Sequence, residues 1–126
     1  MTAMALVAGD AHPELAQGIA ALMGATLAPT LISAFADGET RVRIETDVQD
    51  ADVYIVQPTS APTNERLMTL ALLAEAARAA GAGRVTAVVP YFGYARQDAR
   101  KDTGEPRSAQ LAARGLRGAG AARVVT

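Results

Sequence analysis

Apolar and polar positions change period several times along the chain. Met4 to Ala8 is a short apolar run that reads as a strand. Gly9–His12 is a turn, and Pro13 and Glu14 suit the start of a helix. Leu15, Ile19, Leu22 and Met23 then recur at helical spacing, and Gly24 is placed to end the helix. Leu27 to Phe35 reads as extended. Asp37-Gly38 marks a turn, and Thr40–Glu45 alternates strictly, so these two segments are expected to form a hairpin with one wet face. Val53 to Gln57 and Val85 to Val89 are continuous β-rich runs of the kind covered on both faces. Between them, Leu67, Leu70, Ala71, Ala74 and Ala77 mark a helix over Glu65–Ala80, capped by Thr63 or Asn64. Met68, Leu72 and Ala76 widen its apolar face, so it should be buried on more than one side, by a partner subunit or by a second layer of the same chain. Ser108 can cap a further helix through Leu111, Ala112 and Leu116, and Arg123 begins another strand. Alternating strands and helices predict an α/β fold with a parallel sheet.

Composition narrows the class. The 126 residues fit one domain; half are hydrophobic and 20% are charged, as in a water-soluble protein. A net charge of −1 gives no basic field for nucleic acid. There is no cysteine, so disulfides and thiolate chemistry are excluded. The single His12 beside Pro13 suits a helix cap or a surface position better than catalysis. No apolar run reaches the roughly 18 residues of a membrane span. The expected setting is cytoplasmic, without a membrane partner.

The candidate chemistry lies where the strand ending at Val89 passes into Pro90-Tyr91-Phe92-Gly93-Tyr94-Ala95-Arg96-Gln97-Asp98. In open α/β sheets, ligands bind just beyond the carboxyl ends of strands. There a guanidinium, an amide and a carboxylate suit a polar ligand, and the aromatic rings can stack on a flat one. The loop from Ala99 to Arg107 is mixed in charge and aperiodic. No Walker-type or dinucleotide glycine loop is present, nor an acidic cluster able to hold magnesium strongly.

Four stretches together resemble the N-terminal half of ribose-phosphate pyrophosphokinase, also called phosphoribosyl pyrophosphate synthetase. They are Phe35–Glu39, Val56–Asn64, Val89–Asp98 and Pro106–Ala109. Ala36 stands where that family usually has serine, and Arg107 where an apolar residue is common. The resemblance implies a phosphoribosyltransferase-like (type I) domain, three-layer α/β/α, with a flanking β-hairpin. It implies that residues 1–126 are an N-terminal domain whose C-terminal companion lies outside this chain. The implied reaction moves pyrophosphate from ATP to ribose 5-phosphate, giving phosphoribosyl pyrophosphate and AMP with Mg2+. The metal is expected to be held mainly by residues outside this chain. Arg96 and Gln97 would contact ATP. Phe35, Asp37, Gly38 and Glu39 would reach a nucleotide bound mainly by a neighbouring subunit, with Asp98, Arg100 and Lys101 as support beside the phosphates. No catalytic or metal-ligating residue is assigned within the chain. A homo-oligomer, from dimer to hexamer, is implied. The alternative is a non-catalytic nucleotide-sensing or assembly module of the same family.

Overall fold

The computed structural model describes residues 3–100 and 102–126. Its elements in chain order are β1 (Met4–Ala8), α1 (Pro13–Met23), β2 (Thr30–Ala34), β3 (Thr40–Ile44), β4 (Asp52–Val56), α2 (Thr63–Ala79), β5 (Arg84–Val88), α3 (Ser108–Ala119) and β6 (Arg123–Val125). The β-rich runs pair into one four-stranded sheet in the order β1-β4-β5-β6, every neighbouring pair parallel. Val7 lies beside Ile55, Ile55 beside Ala87 and Ala87 beside Val124. Because side chains alternate along a strand, this row and the next point to opposite faces. Leu6, Val56 and Val88 pack with Ala16 and Ala20 of α1. Val7, Val53, Ile55, Val85 and Ala87 pack with Leu70, Leu73 and Ala77 of α2 and Leu116 of α3. The sheet is therefore sandwiched between helices: the parallel α/β sheet is what the alternating pattern predicts, and the three layers are what the resemblance implies.

The second apolar flank of α2 is covered by the chain itself. β2 and β3 form a separate antiparallel ribbon, with Ile32 opposite Val42. Ile32, Val42 and Ile44 turn inward onto the cluster that contains Leu70 and Leu73, while Arg41 and Arg43 stay in water. Of the two explanations for the wide apolar face, a second layer of the same chain is the one observed. Leu70 and Leu73 are fully buried, Leu67 is half-buried, and Met68 remains 56% exposed.

Helix ends are partly as expected. His12 caps α1, its Nδ1 accepting from the Leu15 amide at 3.0 Å. Gly24 ends that helix at φ 64°, where a side chain would be strained. The N-termini of the other two helices differ from the sequence reading. Helix α2 begins at Thr63, with Pro62 in the capping position and no side-chain cap. Ser108 is the first helical residue of α3 rather than its cap, which is Arg107, again without a side-chain bond. In each case the residue chosen from sequence has another role: Thr63 packs beside Gly93, Asn64 accepts from Tyr94, and Ser108 is buried. No helix is long and apolar enough to cross a membrane among the described residues.

Two predictions follow from this packing. Leu73→Ala should lower unfolding stability by about 2–5 kcal/mol, as for a large side chain removed from a closed core. Leu22→Ala, at a residue 92% exposed, should stay within about 0.5 kcal/mol. Urea titration of both variants decides it, and equal effects would contradict the assigned core. The second concerns acid. Arg84 donates to Asp52 at 3.3 and 3.4 Å, and the Tyr54 hydroxyl donates at 3.1 Å. The Arg84 bond, with help from Tyr54, holds the Asp52 carboxyl below its usual range. A carboxyl depressed on folding adds stability above its unfolded value of about 3.9 and loses it as pH falls through the folded value. This exposed pair contributes little in absolute terms. Melting temperatures should favour the parent over Asp52→Asn near neutrality, and the gap should close towards about pH 2; a gap that does not change with pH refutes the assignment.

Candidate functional site

Parallel pairing brings the carboxyl ends of β1, β4, β5 and β6 to one edge. The segments after β1, β4 and β5 meet there. The first is tied down by Gln57, which follows β4 and is fully buried. Its Oε1 accepts from the Ala11 amide at 3.0 Å and its Nε2 donates to Asp10 at 2.8 Å. Asp10 is in turn ion-paired with Arg66 of α2 at 2.9 Å. A buried amide has to find both a donor and an acceptor, and here it joins the end of β1 to the start of α2.

The segment after β5 carries the sequence-predicted site. Val89 still donates to Val125, and Pro90, which has no N–H, ends the ladder. Phe92 to Gln97 then coil tightly. The Ala95 amide donates to Phe92 at 3.2 Å, and the Gln97 amide donates to Tyr94 at 2.8 Å. Ala95–Gln97 is a single 3-10 turn where the sequence suggested only a loop. It is entered through Tyr94 at φ 73°, the left-handed region that a residue with a side chain enters at a cost. The Tyr94 hydroxyl donates to Asn64 Oδ1 at the start of α2.

This coil frames a cleft of about 710 Å3 lined by Thr63, Tyr91, Phe92, Tyr94, Arg96 and Gln97, with Thr126 at the end of β6. Arg96 and Gln97 also line a second cleft of about 400 Å3 with Glu105 and Pro106. Both side chains are exposed and stand between the two hollows. The guanidinium offers a fork of donors for anionic oxygens, the amide both donates and accepts, and the aromatic rings offer flat faces. Asp98 and Arg100 lie on exposed chain just beyond and line neither cleft; Lys101 falls outside the described residues.

Phe35, Asp37, Gly38 and Glu39 form the tip of the β2–β3 ribbon. The Phe35 amide donates to Glu39 at 2.7 Å, the Gly38 amide to Phe35 at 2.9 Å, and Asp37 Oδ1 accepts from the Glu39 amide at 3.0 Å. Gly38 takes φ 92°, which the turn requires. Phe35 is 51% exposed, a large flat ring left in water. Gly38 lines a hollow of about 370 Å3 with Asp10, Glu65 and Thr69, by the end of β1. Within one chain the tip and the Arg96–Gln97 turn therefore sit in different places, and Phe35, Asp37 and Glu39 line neither cleft beside Arg96. Among the described residues no three His, Asp or Glu side chains gather as a metal site.

Sequence reading gave no role to Gln57, Thr59 or Arg66 and took Asn64 only as a helix cap, yet all four organise this edge. A signal existed for the first: Gln57 is polar yet directly continues the apolar run Val53 to Val56, and such a residue is buried only with partners.

The comparisons agree with this architecture. Residues 4–120 match the family model described as the N-terminal domain of ribose phosphate pyrophosphokinase. A ribose-phosphate pyrophosphokinase of Vibrio vulnificus (strain YJ016) is 48% identical over 127 aligned positions, covering 100% of this chain and 40% of that protein. The chloroplastic ribose-phosphate pyrophosphokinase 1 of Arabidopsis thaliana is 48% identical over 124 positions, covering 98% of this chain and 31% of its own length. The crystal structure of phosphoribosylpyrophosphate synthetase from Mycobacterium smegmatis superposes with a TM-score of 0.94 at 37% identity, over 98% of this chain and 41% of that one. The chain thus spans about two fifths or less of the length of these relatives. With a family model matched over nearly its whole length, and the sheet, ribbon and strand-edge cleft in place, the chain belongs to the family of ribose-phosphate pyrophosphokinase N-terminal domains.

Proposed function

We propose that the parent protein is a ribose-phosphate diphosphokinase. It transfers pyrophosphate from ATP to the anomeric hydroxyl of ribose 5-phosphate, giving phosphoribosyl pyrophosphate and AMP, and residues 1–126 are its N-terminal domain. The observation that carries this reading is the Arg96–Gln97 turn between two clefts at the sheet's carboxyl edge, in a chain of this family. Arg96 binds phosphate oxygens or stacks on the base, and Gln97 meets a ribose hydroxyl or a base edge. Asp98, Arg100 and Lys101 shape the field beside the phosphates. Transfer of this kind depends on positioning and on charge placed around the phosphates, which is the work assigned to these side chains.

The ribbon tip serves the nucleotide of a neighbouring subunit, in keeping with its lining neither of the clefts that Arg96 lines. Phe35 stacks on adenine. Asp37 and Glu39 would repel phosphates without a cation between them, so they meet the adenine amino group, a ribose hydroxyl or a partner's arginine. Magnesium accompanies ATP in this reaction. The described residues do not offer it a ligand cluster, and no step is assigned to it. No finding favours the non-catalytic module. The same reading places the protein in the cytoplasm as a homo-oligomer. Its apolar contact surface includes Met68, exposed on α2, and Leu111, 62% exposed on α3, and not Leu70, which the core already covers.

In the full-length parent, Arg96→Ala should weaken ATP binding by about 1.5–3 kcal/mol, as for a charge-assisted contact. Phe35→Ala should weaken it by about 0.5–1.5 kcal/mol, as for a lost ring stack. Calorimetric titration with ATP reads both. Mixing the two variants tests the shared site: a hybrid dimer holds one intact and one doubly damaged site, so part of the activity returns. No recovery in hybrids shown to form would reject the two-subunit site. Sedimentation of the parent at micromolar concentration should show a dimer or larger species, and a monomer throughout a dilution series would reject the oligomer.

A further inference from the structure

We infer that Thr59 is a positioning residue for nucleotide binding, acting on Arg96 and Gln97 through the backbone of the turn that carries them. Thr59 lies in the segment between β4 and α2 and is 1% exposed. Its amide donates to the Tyr91 carbonyl at 2.8 Å, and its hydroxyl donates to the same carbonyl at 3.1 Å. The hydroxyl oxygen accepts from the Gly93 amide at 2.7 Å. One side chain thus holds both an acceptor and a donor of the neighbouring segment, five and three residues before Arg96. These are backbone groups that neither the ladder nor a helix serves, and a hydroxyl is the smallest group able to satisfy both.

The surroundings leave this contact little play. A Cβ at Gly93 would lie 2.6 Å from the Thr59 carbonyl oxygen and would meet the Thr63 methyl group, so the two segments touch where glycine alone fits. Immediately beyond, Tyr94 is held in the left-handed region and Ala95–Gln97 form their turn. A strained residue persists only where its neighbours over-determine it. Thr59 fixes the chain on the entry side of Tyr94, and Asn64 fixes its hydroxyl. Thr59 lines neither cleft that Arg96 and Gln97 line; its effect on a ligand passes through the backbone. This inference rests on the nucleotide reading of Arg96 and Gln97.

The test compares Thr59→Val, Thr59→Ala and Thr59→Ser with Arg96→Ala in the full-length enzyme, by steady-state kinetics and amide hydrogen exchange. Thr59→Val keeps the shape and leaves the Gly93 amide without its acceptor, and should raise the ATP KM about tenfold, the size of effect expected for one unsatisfied buried donor. The KM for ribose 5-phosphate should change by less than about twofold, because uniform binding of the second substrate is untouched. Exchange at Gly93 should accelerate. Thr59→Ser retains the hydroxyl and should keep the parental ATP KM. Thr59→Ala, free of branched bulk, supplies the same comparison if the valine variant does not fold. A raised ATP KM in Arg96→Ala with a parental value in both Thr59→Val and Thr59→Ala overturns the positioning role and leaves the nucleotide reading standing. Equal rises for both substrates, or a serine variant as impaired as the valine one, also overturn it. A parental ATP KM in Arg96→Ala overturns both.

Discussion

Strand β4 is packed by helices on both faces, and the rest of the structure depends on that. Val53, Ile55 and Val56 are buried, with α1 on one side of the sheet and α2 with α3 on the other. Parallel neighbours on both edges satisfy its backbone. Burial of this kind is non-directional and favours any apolar contact, but pairing in a parallel sheet is directional and allows one orientation. Together they send the chain beyond β1, β4 and β5 out at the same edge, which is where polar side chains become useful.

The burial does not stop where the strand does. Gln57 and Thr59 continue the chain below the surface with polar groups that water cannot reach. An unpaired buried amide or hydroxyl is costly, so each captures a neighbour: Gln57 takes the segment after β1, and Thr59 the segment after β5. The turn that carries Arg96 and Gln97 is thus anchored to the remains of the core through Thr59, in addition to its own backbone bonds. Arg96 and Gln97 themselves stay exposed.

The ribbon shows a different use of the same material. Its inner residues Ile32, Val42 and Ile44 cover α2, and the strict alternation of β3 leaves Arg41 and Arg43 in water. One element completes the core and also leaves Phe35, Asp37 and Glu39 exposed, outside the clefts that Arg96 lines.

Local pattern was enough for the strands and the three α-helices, though not for the Ala95–Gln97 turn. Strand and helix periods, Gly24 after α1, Gly38 in the ribbon turn and His12 before α1 are all short-range signals, set by backbone geometry and by a few neighbouring residues. The candidate residues Arg96 and Gln97 were also visible, because polar groups after a buried strand stand out against it. What only the tertiary structure decided was which side chains meet across the sequence. Thr63, Asn64 and Ser108 look like helix caps in isolation, yet packing against other segments assigns them elsewhere. The wide apolar face of α2 could not show whether the ribbon or another subunit covers it. Thr59 has no distinguishing neighbour in sequence; its partners lie 32 and 34 positions away. A hydroxyl's role depends on which unpaired donor and acceptor the fold brings within reach, and that is fixed only when the sheet closes.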